Sequence, residues 1–167
     1  MKQTVVLQRL AIGWLGTLCM FGWSQDTSLH MAALSGDTAQ TQSLIQVGVD
    51  VNGRMTRNWT PLMVAAKYGH TEVMDLLIKN KAEIDLLDQD GNSALILAVT
   101  SNQVEAVKLL LQRNADALIV NNKGLNAVQI ARLSGFTEIQ QRLETYLAPK
   151  GETNESSVAK NNGSPAR

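Results

Sequence analysis

An all-α solenoid is the fold class this sequence predicts: about four 33-residue helix-turn-helix repeats, joined by β-hairpin or turn fingers. Three observations lead there. Thr27, Thr60, Ser93 and Asn126 stand 33 residues apart, and each opens a similar stretch: TSLHMAALSG, TPLMVAAKYG, SALILAVTSN and NAVQIARLSG. Within each stretch the apolar residues recur at helical spacing. Between stretches lie turn-forming segments such as Asp88-Gln89-Asp90-Gly91 and Asn121-Asn122-Lys123-Gly124. Self-similarity at a fixed period marks stacked supersecondary units rather than one globular core.

The repeats fall at approximately 25–54, 55–87, 88–120 and 121–148. In the second, Leu62, Ala65 and Ala66 form one face of a short helix, which Gly69 ends. Thr71-Glu72 opens another helix, with Val73, Leu76 and Leu77 as its apolar face and Asn80-Lys81 as its stop. The third repeat repeats the scheme with Leu95, Ala98 and Val99, then Ala106, Leu109 and Leu110. The fourth does so with Val128, Ala131, Ile139 and Leu143. The alanines allow paired helices to approach closely. Gly91 and Gly124 suit the positive φ of a tight turn, and Asn58 holds the equivalent place in the second repeat. The outer units should present polar faces: Gln40, Thr41, Gln42 and Gln46 at one end, Gln140, Gln141, Arg142 and Glu144 at the other.

These residues resemble the ankyrin repeat, which has this period and the signature T-P-L-H-x-A. Thr60-Pro61-Leu62-Met63-Val64-Ala65 matches it except at the histidine, and Thr27-Ser28-Leu29-His30-Met31-Ala32 except at the proline. Gly69-His70-Thr71-Glu72-Val73 and Leu76-Leu77-Ile78 match the second half of the motif. Val51-Asn52 and Ile84-Asp85 match the segment leading into the next hairpin. Ser93-Ala94 and Asn126-Ala127 depart from Thr-Pro, and Lys81 and Asn114 stand where Gly48 shows the usual glycine. Those departures put the local turns in question, not the fold.

Residues 1–24 read as a secretory signal peptide. Lys2 and Arg9 precede an apolar run over 10–23, and Gly22-Trp23-Ser24 offers small residues for cleavage after Ser24. A retained anchor is the alternative, but a span needs about 20 apolar residues and this run is shorter. Cys19 follows Leu18, where a lipobox wants a small residue. Residues 149–167 contain one larger apolar side chain, Val158, and are expected to be disordered. The resemblance, combined with an export signal, implies a small bacterial periplasmic protein. Proteins of that type resemble accessory factors for stress-defence enzymes such as catalase.

Charge and residue chemistry exclude several classes. The chain carries 15 basic and 15 acidic residues, so it lacks the basic excess of nucleic-acid-binding domains. Cys19 is the only cysteine, so a chain cleaved after Ser24 has no thiolate for zinc or nucleophilic chemistry. No nucleophile elbow or phosphate-cradling glycine loop occurs. His30 and His70 read, through the resemblance, as structural. Asp88-Gln89-Asp90-Gly91 fails as a calcium loop because Leu86 and Leu97 occupy the first and twelfth positions. Asn58-Trp59-Thr60, Asn154-Glu155-Ser156 and Asn162-Gly163-Ser164 are glycosylation sequons for a eukaryotic host. The expectation is a monomeric, non-enzymatic protein without cofactor, without nucleic acid, and without stable membrane insertion after cleavage. The other readings are a haem- or cofactor-handling protein, with the histidines and methionines as ligands, and a secreted effector.

Ankyrin arrays usually dock a protein partner on the concave face, made by the fingers and the outward side of each first helix. By phase, that surface comprises Arg54, Arg57, Trp59, Lys67 and Tyr68 in the second repeat. Gln89, Asp90 and Asn92 follow in the third, and Lys123 and Leu125 in the fourth. The second repeat gathers two aromatics and three cations, the side-chain types that dominate interface energetics.

Overall fold

The computed structural model describes residues 25–148. The segment read as a signal peptide (1–24), the segment expected to be disordered (149–167), and the sequons at Asn154 and Asn162 lie outside the described residues. Three residues at 33-residue spacing set the architecture, while the fourth in that phase, Thr27, lies inside the first helix. Thr60 Oγ1 accepts from the Met63 N–H at 3.3 Å, Ser93 Oγ from the Ile96 N–H at 3.4 Å, and Asn126 Oδ1 from the Gln129 N–H at 2.9 Å. Each is an N-cap that satisfies a donor the first helical turn leaves orphaned. Gln129 Oε1 accepts the Asn126 N–H in return, at 2.9 Å, completing a reciprocal box.

The helices that follow are short. They run α1 Gln25–Ser35, α2 Thr38–Gln46, α3 Pro61–Tyr68, α4 Thr71–Lys79, α5 Ala94–Thr100, α6 Val104–Gln112, α7 Ala127–Ser134 and α8 Thr137–Leu147. Helices of this length are marginal alone and draw their stability from packing. The odd-numbered helices stack on one another in order, α1 to α3 to α5 to α7. The even-numbered helices stack likewise, α2 to α4 to α6 to α8, and each pair is joined across its own turn. The result is two parallel layers, inner and outer.

The core runs continuously between those layers. Ala32, Ala33, Ala65, Ala66, Ala98 and Ala131 are fully buried on the inner helices, where small side chains bring the layers together. Leu29, Leu62 and Leu95 fill the inner side, and Val73, Leu77, Leu110, Ile139 and Leu143 the outer. The register of three positions, two on outer helices and one on the inner helix α7, differs from the periodicity reading. Leu76, Leu109 and Val128 are half-buried, while Met74, Val107 and Ile130 are buried. A helix packed on two sides buries a wider stripe than its first apolar trio indicates. Thr41, read as part of a polar end face, is instead wholly buried and donates its hydroxyl to the Asp37 carbonyl at 2.7 Å.

The turns repeat as faithfully as the helices. Positions 36, 69, 102 and 135 all have positive φ, at 72°, 75°, 56° and 73°. So do positions 48, 81 and 114, at 88°, 69° and 62°. Lys81 and Asn114 therefore keep the turn that glycine makes at position 48, at the cost of a left-handed backbone. At Gly36 the freedom is also spatial, because an added Cβ would stand 2.7 Å from the His70 ring.

The fingers are turns rather than β-hairpins. Among the described residues the only bridge pairing is isolated, between Val120 and Asn126. A finger spans five residues, which is too short for a ladder. Finger 2 (55–59) closes through Met55 N–H to Trp59 O at 2.9 Å, finger 3 (88–92) through Asp88 N–H to Asn92 O at 3.0 Å, and finger 4 (121–125) through Asn121 N–H to Leu125 O at 3.0 Å. Neighbouring fingers are then tied by Gln89 N–H to Arg57 O and Asn122 N–H to Asp90 O, each 2.9 Å.

Candidate functional site: the finger-side face

The fingers and the inner helices enclose a groove. Arg57, Asp90, Asn92, Asn121, Asn122, Lys123 and Leu125 line it from the fingers, and Leu97, Thr100 and Ile130 from α5 and α7. Its floor follows the repeat: Leu97 and Ile130 stand 33 residues apart, and both are buried. That row was visible in the 33-residue phase, and the sequence reading passed over it. Its rim also follows the repeat, with Arg57, Asp90 and Lys123 at successive fingertips.

The residues singled out from the sequence fall into two clusters and some outliers. Trp59, Lys67 and Tyr68 form the first cluster. Lys67 Nζ lies 4.8 Å from the Trp59 ring centroid and 5.8 Å from that of Tyr68. Both distances are within cation–π range, so the rings hold the ammonium by their negative faces. Trp59 is half-buried and Tyr68 is 48% exposed, stacked beside His70 at 6.4 Å. Arg57 and Asp90 form the second cluster, an exposed ion pair across adjacent fingertips. Arg57 also adopts φ 66°, ψ 23°, a left-handed conformation that costs a bulky residue about 1 kcal/mol or more. Lys123 and Leu125 share the groove with that pair, whereas Arg54 is exposed and does not line it.

Gln89 and Asn92 serve the scaffold. The Gln89 carbonyl accepts from Asn122 Nδ2 at 3.1 Å, and Asn92 Oδ1 accepts from Asn121 Nδ2 at 3.1 Å. Asn121 and Asn122 thus form an amide ladder that single-residue reading did not identify, because its partners are 29 and 33 residues away. Asp88, read as a turn residue, is buried. Its carboxylate accepts the N–H groups of Asp90 and Asn92 at 2.8 Å each and Asn92 Nδ2 at 3.2 Å. Those three donors take up most of the carboxylate's acceptor sites.

The histidines join repeats. His30 Nε2 lies 2.9 Å from the Trp59 carbonyl, and His70 Nε2 lies 3.0 Å from that of Leu34. Gln103, at the position equivalent to His70, donates its amide to the Lys67 carbonyl at 3.3 Å. A glutamine doing the same task shows that the position calls for a donor, not a titrating group. Thr60, the third residue of the Asn58 sequon, is buried within its cap.

The outer helices treat charge differently. Asp75 pairs with Lys79 at 2.7 Å and with Arg113 of the next outer helix. Its hydrogen bond to Lys79, with the charges of Lys79 and Arg113, lowers its pKa. Glu144 is lowered by its hydrogen bonds to Gln140 and Arg132. Lys108 meets Glu105, and Arg142 meets Glu138.

A two-layer solenoid with a finger-lined groove is the build of an interaction module. The chain belongs to the ankyrin-repeat family: the family description "Ankyrin repeats (3 copies)" matches residues 29–121. The match ends where the fourth helix pair, α7 and α8, begins its finger. An ankyrin repeat-containing protein of Schizosaccharomyces pombe is 31% identical over 126 residues, covering 74% of this chain and 60% of the relative. SMC5-SMC6 complex localization factor protein 1 of Bos taurus is 35% identical over 134 residues, covering 74% of this chain and 13% of the relative. Transient receptor potential cation channel subfamily A member 1 of Homo sapiens is 29% identical over 117 residues, covering 70% of this chain and 10% of the relative. The chain thus spans at most three-fifths of the length of these relatives. Ankyrin repeats are protein–protein interaction modules and are generally non-enzymatic. Among the described residues, no helix is long and apolar enough to cross a membrane.

Proposed function

We propose that this chain is a non-enzymatic adaptor that is exported and docks a protein partner in its finger-side groove. One observation carries the docking site: Trp59, Lys67 and Tyr68 form a partly exposed cluster beside a fingertip held in a strained conformation. Trp, Tyr and Arg are the side chains that most often dominate interface energy, and backbone strain gathers at functional sites. The export reading rests on the apolar run over 10–23 behind Lys2 and Arg9. A monomeric periplasmic or secreted protein is the corresponding state, and an accessory role in stress defence is the more specific form of the proposal. Haem handling finds less support, because both histidine Nε2 atoms are already directed at carbonyl oxygens.

The test is a selection from a random displayed-peptide library on the immobilised full chain, repeated with Trp59→Ala. Peptides that bind the wild type should lose about 2 kcal/mol of affinity for the variant while its urea midpoint holds. Peptides indifferent to the change would place docking elsewhere. Fractionation of the producing cells tests export, and a cytoplasmic pool of full-length chain would reject it.

A further inference from the structure

The finger-side face is electropositive on a chain with no net charge. The fingertip row carries Arg57 and Lys123 against the carboxylate of Asp90, and Lys67 adds a third cation beside finger 2, over the Trp59 ring. Asp88 is buried and turned onto its own finger's N–H groups. On the outer side Asp75, Glu105 and Glu138 each have a basic partner within the molecule. The whole chain balances 15 basic against 15 acidic residues, so this local excess of cations is a matter of placement and not of composition. Among the described residues Lys67 has no carboxylate partner, and its ammonium lies over the rings of Trp59 and Tyr68. Such a face steers and registers a partner of opposite charge.

Resting on the docking proposal above, we propose that the partner presents an extended acidic peptide segment. Its carboxylates meet the cations of finger 2 at one end and Lys123 at the other, and an apolar side chain between them packs toward Leu97, Ile130 and Leu125. The spacing follows from the stack. Inner helices pack with axes about 8–10 Å apart, so two repeats separate Arg57 from Lys123 by roughly 16–20 Å. An extended chain advances about 3.3–3.6 Å per residue, so the acidic positions lie about five or six residues apart. A protein segment fits better than a nucleic acid. The fingertip row alternates Arg57, Asp90 and Lys123, and Asp90 would stand against a continuous phosphate backbone.

The experiment uses the full chain and the peptides selected on it, compared with peptides selected on Lys123→Glu. Both proteins must show the same urea midpoint. Wild-type selections should be enriched in Asp and Glu at the stated spacing, and their affinity should fall as salt rises from about 0.05 to 0.3 M. Lys123→Glu should weaken them about tenfold and shift its own selections toward Lys and Arg. Selected peptides that depend on Trp59 but are neutral, and indifferent to Lys123→Glu, overturn the acidic-segment proposal and leave the docking site standing. Peptides indifferent to both Trp59→Ala and Lys123→Glu overturn the two together. A single-stranded oligonucleotide that displaces the peptides and binds more tightly than they do overturns the choice of a protein segment.

Discussion

Fingers 2 and 3 make the same backbone shape by different means. In finger 3 a buried aspartate brackets the turn: Asp88 accepts two backbone N–H groups and one side-chain amide from residues two and four ahead. In finger 2 the equivalent residue is Met55, which has no carboxylate to offer. That finger closes by backbone bonds alone, Met55 N–H to Trp59 O and Asn58 N–H to Met55 O, with Arg57 and Asn58 both left-handed. Finger 3 therefore spends the Asp88 carboxylate on its own turn. Finger 2 keeps Arg57 and Trp59 at a surface and tolerates strain to do so. The difference teaches where to look for recognition in a periodic protein: at the unit that has given up an internal bond which its neighbour retains.

The largest effect tests what both fingers share. Leu77 is wholly buried in α4, between the second and third repeats. Leu77→Ala should cost about 2–5 kcal/mol. It should lower the urea midpoint of the whole array in one transition, because each repeat is stabilised chiefly by its neighbours. Two separate transitions, or an unmoved midpoint, would break the picture of coupled units. The next effect separates the fingers. Asp88→Ala strips three N–H donors of their acceptor and should cost about 1–3 kcal/mol. Met55→Ala, at the same place in finger 2, should stay within about 0.5 kcal/mol. Equal losses would erase the distinction between a bracketed and an unbracketed finger.

Much of this was legible in the sequence, for a physical reason. Caps, left-handed turn positions and the alanine stripe are local requirements. They recur at each period, so Thr60, Ser93 and Asn126 announce the same structure three times. Even Lys81 and Asn114, which break the glycine pattern, keep its backbone because the flanking helices dictate it. The lateral bonds were not legible. Asn52 bridges to Lys81 and Glu83, and Asn121 to Asn92, through contacts whose partners lie about a repeat away and carry no local signature. Trp59, Lys67 and Tyr68 could be assigned to one face by phase, but phase alone does not show that the ammonium lies over the rings. Thr41 shows the opposite failure. Its polarity suggested a surface, yet a threonine in a helix can satisfy its hydroxyl on a carbonyl one turn back and be buried.

Smaller effects sharpen the comparison at single residues. Arg57→Gly should be more stable than Arg57→Ala by about 1 kcal/mol, since both remove the exposed pair with Asp90 but only glycine accepts the left-handed backbone freely. Both should weaken binding of an acidic peptide. If Gly and Ala gave equal midpoints, Arg57 would not be strained and the contrast with finger 3 would lose its energetic basis. The smallest effect lies on the outer side, where charges are internally matched as they are in finger 3. Asp75 titrates below the ordinary carboxylate value of 3.8, chiefly through its hydrogen bond to Lys79 and the charges of Lys79 and Arg113. A depressed folded-state pKa gives stability that is present above the unfolded value and lost as pH falls through the folded one. Urea midpoints of wild type and Asp75→Asn should therefore differ slightly at neutral pH and converge as pH falls through the lowered folded-state value, with the difference shrinking in high salt. A difference that survived acid would show that Asp75 acts by shape or hydrogen bonding, and that the outer helices do not balance charge in the way the finger-side groove leaves it unbalanced.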